Sequence, residues 1–355
     1  MIISRTPYRI SFFGGGTDYP SYYKQYGGSV LSTSIDKYCY LHCRHLPPFF
    51  GIKHRVVWSH IETVASMSEI LHPAVREALP YLKFDDSIGL EIQHQGDLPA
   101  RSGMGSSSAF IVGLIQALSH LKGKDMSKHE LALSAIELEQ NILKESVGSQ
   151  DQVATAYGGL NKIHFEPNGQ INVTPLDIST TQINELEGKL MLFFSGTSQN
   201  SKYSAVETVK AIPDKTKQLK RMKEMVEEAE QILRYSSNLD DFGKLLHEAW
   251  LTKKSLTSAI STPEIDSMYD KAIQNGALGG KLLGAGGRGF LLLYVPEEKQ
   301  ALVKQALVPY VHVPFKFEST GSIVLYQNNE QSDYFKETLM SKQPKTRIDN
   351  ARSRS

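Results

Sequence analysis

The chain of 355 residues carries 39 lysines and arginines against 38 aspartates and glutamates, and 40% of its residues are hydrophobic. That composition supports a sizeable core and two domains, whereas a net charge of +1 excludes a broad basic face for nucleic acid, so any anionic ligand must be held locally. The start, Met1-Ile2-Ile3-Ser4-Arg5-Thr6-Pro7, lacks an apolar signal core and no stretch is long enough to cross a bilayer, which points to a cytoplasmic protein without a membrane partner.

In chain order, the first predicted strand runs through Pro7-Tyr8-Arg9-Ile10-Ser11-Phe12-Phe13 into Gly14-Gly15-Gly16-Thr17-Asp18-Tyr19. On residue chemistry alone, Asp18 either accepts hydrogen bonds from ligand hydroxyls or caps the helix that follows. The only cysteines, Cys39 and Cys43, share one face of a predicted strand. They read as reduced core thiols, with a bridge or a metal pair as the alternative. Ile88, Leu90 and Ile92 alternate with Gly89, Glu91 and Gln93, a strand that enters a glycine- and serine-rich loop over 96–108. Phe110, Leu114, Ala117, Leu118 and Leu121 then recur at helical spacing, with Gly123 as the stop.

Ser127-Lys128-His129-Glu130 has capping-box spacing and opens a second helix through Leu131, Ala135, Leu138 and Ile142, with Glu139 late on it and Gly148 beyond its end. A short helix is predicted over 151–157, stopped by Gly158-Gly159, and Asn168-Gly169 joins two strands as a hairpin. The first domain closes near Ser179. After a strand at 189–195, Leu219, Met222, Val226, Ala229 and Leu233 form a helical stripe that reads as core packing, with a partner helix as the alternative. Thr262-Pro263-Glu264 starts a further helix that ends before Gly276, and 290–295 and 323–326 read as strands. Apolar periodicity fades from Asn328, leaving 329–355 as a polar, basic tail expected to be mobile.

The segment Leu98-Pro99-Ala100-Arg101-Ser102-Gly103-Met104-Gly105-Ser106-Ser107-Ser108 lies between a predicted strand and an apolar helix, the context of an anion site. Glycines permit close backbone approach, and the N-H groups and dipole of a helix start favour a phosphate chain. The bland alternative is a flexible turn with a serine cap. A Walker loop would end in Gly-Lys-Ser/Thr, and this one lacks the lysine. Gly284-Ala285-Gly286-Gly287-Arg288-Gly289 formally matches Gly-x-Gly-x-x-Gly but leads into a strand rather than a helix, which argues against a dinucleotide fold.

In order and spacing, these three glycine segments resemble the motifs of the GHMP kinases, over about residues 1–326. The central loop is similar to the family's Pro-x-x-x-Gly-Leu-Gly-Ser-Ser, with Met104 in place of leucine. Gly14-Gly15-Gly16-Thr17-Asp18 and Val147-Gly148-Ser149-Gln150-Asp151-Gln152 resemble the branch that holds heptose 7-phosphate kinases and fucokinase-like enzymes. Galactokinases carry Gly-Glu-His-Thr-Asp in the first motif, so Gly15 and Gly16 put galactose in doubt.

The resemblance implies an α+β fold: a ribosomal protein S5 domain 2-like N-terminal domain over 1–180, then a ferredoxin-like C-terminal domain over 181–328. It implies transfer of a phosphoryl group from ATP, with Mg²⁺, to the anomeric hydroxyl of D-glycero-D-manno-heptose 7-phosphate, toward nucleotide-activated heptose. Asp151 would be the catalytic aspartate and Arg9 the cation beside it, with a structural ion pair as the bland alternative. Pro99, Arg101, Ser102, Gly103, Met104, Gly105, Ser106, Ser107 and Ser108 would hold ATP phosphates, and Trp58 would lie by the adenine unless it is merely a half-buried strand residue. Ser107 and Glu139 would hold Mg²⁺, with Glu137 and Glu145 as rivals. Gly14, Gly15, Gly16, Thr17, Asp18, Gly286 and Gly287 would meet the sugar, and Arg101, Lys202 and Arg288 are candidate cations for a distal phosphate. A fucokinase-like kinase of an unphosphorylated sugar, or a sugar and nucleotide sensor without turnover, are the alternatives. Monomer and homodimer both stay open.

Overall fold

The computed structural model describes residues 1–197 and 201–328, without the side chains of Ser201 and Lys202; the predicted tail and Lys202 as a pocket cation lie outside this description. Alternation of apolar and polar residues yields long first strands, β1 (Ile2–Phe13) and β2 (Gly28–Leu46), joined through the short helix α1 (Pro20–Tyr26). Next come β3 (His54–Val57), β4 (Ile61–Val64), α2 (Pro73–Tyr81), β5 (Gly89–Gly96) and α3 (Ser106–Leu121). The capping box forms in both directions at Ser127 and Glu130 and opens α4 (Lys128–Ile136). That helix was expected to run regularly to Ile142, but Glu137–Ile142 widens into a π turn.

The first half closes with α5 (Gln150–Tyr157) and the hairpin β6 (Leu160–Phe165) and β7 (Ile171–Pro175), with Gly169 at φ +90° in its turn. The second half runs α6 (Thr180–Gly188), β8 (Leu190–Phe194), α7 (Ser201–Ala211), α8 (Thr216–Tyr235), α9 (Asp240–Lys254), α10 (Pro263–Gln274), β9 (Gly279–Leu282), β10 (Phe290–Tyr294), α11 (Gln300–Ala306) and β11 (Val311–His312). The chain then returns as β12 (Phe317–Glu318) and β13 (Ile323–Gln327), which pair with β2 and β1 of the first sheet.

Nine strands form the larger sheet, in which β2 is shared lengthwise: β1 pairs along one edge, and β6, β12 and β5 follow one another along the other. The smaller antiparallel sheet has the order β11-β8-β10-β9. Helix α3 packs across β1 and β2, α8 also meets those strands, and α9 lies on β9, so α8 and α9 join the two sheets. The stripe on α8 is core: Leu219, Met222, Val226, Ala229 and Leu233 are all buried. Cys39 and Cys43 are free and buried, and burial pushes the Cys43 thiol up to about 12. None of the described helices is long and apolar enough to cross a membrane.

Because α3 both braces the larger sheet and starts at the glycine loop, its packing sets stability and site position together. Leu114, with no exposed surface, is the probe: Leu114→Ala should cost about 3 kcal/mol, read as a lower urea midpoint with an unchanged slope.

Candidate active site

The loop over 98–108 connects β5 to α3. Gly105 stands before the first helical turn with φ +72°, a left-handed conformation glycine adopts freely, and no side chain caps the turn. The first helical bond runs from Ala109 N-H to the Gly105 carbonyl at 2.8 Å. The N-H groups of Ser106, Ser107 and Ser108 thus lack an acceptor in the helix, and the positive end of its dipole lies with them. This replaces the serine-capped turn with a preformed anion cradle. The other loop residues hold its shape: the Pro99 carbonyl accepts from Ser102 Oγ at 2.7 Å, Met104 is buried, and Arg101 is exposed at φ +59°.

The third glycine cluster buttresses this loop by backbone contact. A Cβ on Gly103 would lie 2.4 Å from the Leu283 carbonyl oxygen, and one on Gly284 would lie 2.4 Å from Gly103 Cα. Gly286 and Gly287, expected at the sugar, face elsewhere: a Cβ on Gly286 would meet Ile260 Cα at 2.7 Å, and Gly287 N-H donates to the Ile260 carbonyl at 3.1 Å. From this segment Gly284 and Ala285 line the cleft instead.

Arg9 projects from β1 and is 3% exposed. Its guanidinium donates from Nε to Asp151 Oδ1 at 2.7 Å, from Nη2 to Asp151 Oδ2 at 2.5 Å, and from Nη1 to the Gly103 carbonyl at 2.7 Å. Its own backbone N-H donates to the Met104 carbonyl at 3.1 Å. Asp151 sits in the first turn of α5, where the helix dipole favours a carboxylate. One side chain therefore ties the catalytic candidate to the phosphate loop, and Gly105 lies against both partners.

Asp18 does not cap α1, whose first turn has no side-chain cap. It accepts instead from Gly16 N-H at 2.9 Å and from Gln150 N-H, at the start of α5, at 3.3 Å. Burial pushes its carboxyl up, opposed by the Gly16 hydrogen bond and reinforced by the charge of Asp151. Gly148 makes this seat possible, since a Cβ there would fall 1.9 Å from Asp18 Oδ2. Thr17 and Gly14 stay beneath the site: Thr17 Oγ1 donates to the Gly14 carbonyl at 2.8 Å and the Ser29 carbonyl at 2.9 Å.

A cleft of about 140 Å³ opens above these groups, lined by Arg9, Ser11, Gly15, Gly16, Asp18, Gln150 and Asp151, and across it by Lys253, Lys281 and Gly284. Among the described residues, Ser11 Oγ and Gln150 Oε1 have no hydrogen-bond partner although both are buried, which is rare for buried polar atoms.

Beside the loop, Glu139 is wholly buried. It accepts from Ser107 Oγ at 2.9 Å, from Ser108 Oγ at 2.7 Å, and from Gln152. Its rival Glu137 is exposed and pairs with Asn141, and Glu145, past the π turn, donates its backbone N-H to the Glu139 carbonyl at 2.9 Å. Burial lifts Glu139 to about 7, against the serine and glutamine hydrogen bonds that lower it. Trp58 is half-buried, donates to Glu62 at 2.7 Å, and meets His72, which stacks on Phe110 of α3.

Models of the GHMP kinases N terminal domain and of the GHMP kinases C terminal domain match residues 69–159 and 219–310. This chain belongs to the GHMP kinases. It is a phosphotransferase with an alcohol acceptor, an ATP-dependent kinase of a small molecule. A D-glycero-alpha-D-manno-heptose 7-phosphate kinase of Campylobacter jejuni is 28% identical over 318 residues, 85% of this chain and 92% of that protein. A bifunctional fucokinase/GDP-fucose pyrophosphorylase of Arabidopsis thaliana is 28% identical over 61% of this chain and 21% of its own length. The crystal structure of a D-glycero-D-manno-heptose 1-phosphate kinase from Bacteroides thetaiotaomicron shares the fold, with a TM-score of 0.74 and 24% identity over 92% of this chain and 100% of that one.

In this GHMP kinase two of the cations singled out from the sequence, Arg101 and Arg288, do not line the cleft: Arg288 pairs with Glu264 and Arg101 is exposed. Lys253 and Lys281 take that place. Lys281 carried a signal, a lone charge inside the glycine-rich apolar run Gly279-Gly280-Lys281-Leu282-Leu283. Lys253 carried none, because a lysine in the last turn of a helix ordinarily complements the dipole.

Two outcomes follow from this geometry. Gly148→Ala forces Asp18 aside, and a displacement of that size should lower kcat/KM on the order of 10²-fold, with the loss in acceptor KM and the KM for ATP retained. Glu139 binds a proton in the folded chain up to about 7, whereas an unfolded carboxyl releases it near 4.5. Metal-free stability should therefore fall as pH rises between those values, and urea midpoints of Glu139→Gln should show a flatter slope there.

Proposed function

We propose that this enzyme transfers the γ-phosphoryl group of ATP to the anomeric hydroxyl of a sugar, and that the sugar is D-glycero-D-manno-heptose 7-phosphate, giving a 1,7-bisphosphate for nucleotide-activated heptose. The observation that carries the chemistry is the two-pronged Arg9–Asp151 pair, set where the phosphate cradle meets the polar cleft. The heptose reading draws support from the Campylobacter relative, matched over 92% of its length.

Asp151 receives or orients the proton of the attacking hydroxyl, and Arg9 stabilises the nucleophile and the phosphoryl group in flight. The start of α3 holds the phosphate chain through the N-H groups of Ser106–108, which keeps the terminal phosphorus in line with the acceptor. Asp18, Ser11 and Gln150 meet sugar hydroxyls, and Gly15 leaves the room for them. Ser107 and Glu139 offer the hard oxygens that suit Mg²⁺ shared with ATP phosphates, where the ion neutralises phosphate charge. Oxygens of the ATP phosphates would complete the coordination of such an ion. Trp58, beside the helix that follows the cradle, is assigned to the adenine end.

The test is ATP consumption across D-glycero-D-manno-heptose 7-phosphate, free heptose, fucose, galactose and mannose. Turnover confined to the phosphorylated heptose upholds the reading, and turnover on fucose alone replaces it with the fucokinase-like one. Asp151→Asn should keep ATP binding, measured by calorimetry, and lose about 10²-fold or more in kcat.

A further inference from the structure

We propose that Lys253 and Lys281 form the binding site for an anionic group, a phosphate monoester, that the acceptor carries away from its reacting hydroxyl. This rests on the sugar-kinase reading above and names a feature of the acceptor at that same cleft. Among the described residues, the charged side chains lining the cleft are Arg9, Lys253 and Lys281 against Asp18 and Asp151. Arg9 commits its charge to both oxygens of Asp151. Among the described residues neither lysine has a carboxylate partner; both are held by backbone carbonyls.

Lys253 Nζ donates to the Leu282 carbonyl at 2.9 Å and the Gly284 carbonyl at 2.6 Å, and Lys281 Nζ donates to the Phe12 carbonyl at 2.9 Å. An ammonium has three N-H donors, so one remains on Lys253 and two on Lys281. Lys281 is 3% exposed, and a cation so buried without a counter-charge is costly unless a ligand supplies one. On the reading above, the start of α3 and the Ser107–Glu139 pair hold the phosphates of ATP. Lys281 is anchored to the end of β1, which leads to Gly15, Gly16 and Asp18, and both lysines line the cleft with Asp18.

The chemistry of the pair fits an arriving anion. Burial, then the charge of Arg9, lowers Lys253 to about 7, while burial, then the charge of Lys253, lowers Lys281 well below the ordinary lysine value. Asp151 and Asp18 oppose the shift of Lys253, and Asp18 alone opposes that of Lys281. A phosphate that binds here stabilises the protonated lysines, so binding at a pH above about 7 takes up protons.

The experiment is calorimetric binding, without ATP, of D-glycero-D-manno-heptose 7-phosphate against free heptose and mannose 6-phosphate against mannose, repeated in two buffers of different ionisation enthalpy. Wild type should prefer the phosphorylated member by about tenfold or more, with proton uptake. Lys281→Met and Lys253→Met should each remove most of that preference, and Lys253→Arg should restore part of it. Steady-state kinetics should show kcat/KM falling at least about tenfold more for the phosphorylated acceptor than for the free sugar. An unchanged preference overturns the proposal, as does a loss of ATP affinity or an equal loss of kcat with both acceptors, which would assign the lysines to the transferred phosphoryl group. If Lys281→Met does not fold, Lys253→Met, on the partly exposed lysine, decides alone. Absence of turnover on every sugar together with an intact, lysine-dependent preference for phosphate would defeat the sugar-kinase reading and leave the anion site standing.

Discussion

A buried guanidinium organises this molecule. Arg9 is almost wholly removed from water, so the environment of its guanidinium must supply oxygen acceptors. It finds them in three places: the carboxylate of Asp151 on α5, the Gly103 carbonyl of the phosphate loop, and, through its own backbone N-H, the Met104 carbonyl. Strand β1, the loop and α5 are thereby held in one arrangement. Asp151 and the start of α3 cannot drift apart without leaving a charge unpaired in the interior, a far larger penalty than loss of an exposed ion pair.

The glycines follow from the same constraint of close approach. The phosphate loop is pressed against the segment after β9 until Gly103 and Gly284 touch backbone to backbone, a distance that any side chain would forbid. This explains why a run that formally matches a dinucleotide fingerprint has nothing to do with one: its glycines serve loop-to-loop contact and a tight passage into β10, whereas a fingerprint opens a helix. Gly148 performs the analogous service for Asp18, clearing the space in which that carboxylate reaches the start of α5.

Electrostatics divides the site into two ends. Near the start of α3, Glu139 sits under three side-chain donors, and burial lifts its carboxyl to about 7. Across the cleft, two lysines are held by carbonyl oxygens alone, with donors to spare. The cleft between them carries both signs of charge among the described residues, Arg9, Lys253 and Lys281 with Asp18 and Asp151.

Much of this architecture was legible in the residues. The capping box at Ser127, the Pro-led start at Thr262, the Asn168-Gly169 turn and the stripe on α8 are local signals, and local signals survive because capping, turn chemistry and helical period act over a few residues. The glycine clusters and the pairing of Arg9 with Asp151 and of Ser107 with Glu139 were legible through family resemblance. Tertiary structure alone decided which glutamate turns inward, through the π turn at Glu137–Ile142, and that Thr17 and Gly14 lie under the site rather than in it. It alone brought β13 back to β1 and set Lys253 and Lys281 across from Asp18. The physical reason is range: periodicity reports which face of an element is apolar, but the neighbour of a buried charge is chosen by chain segments more than a hundred residues away, as with Lys281 and Phe12, separated by 269 positions.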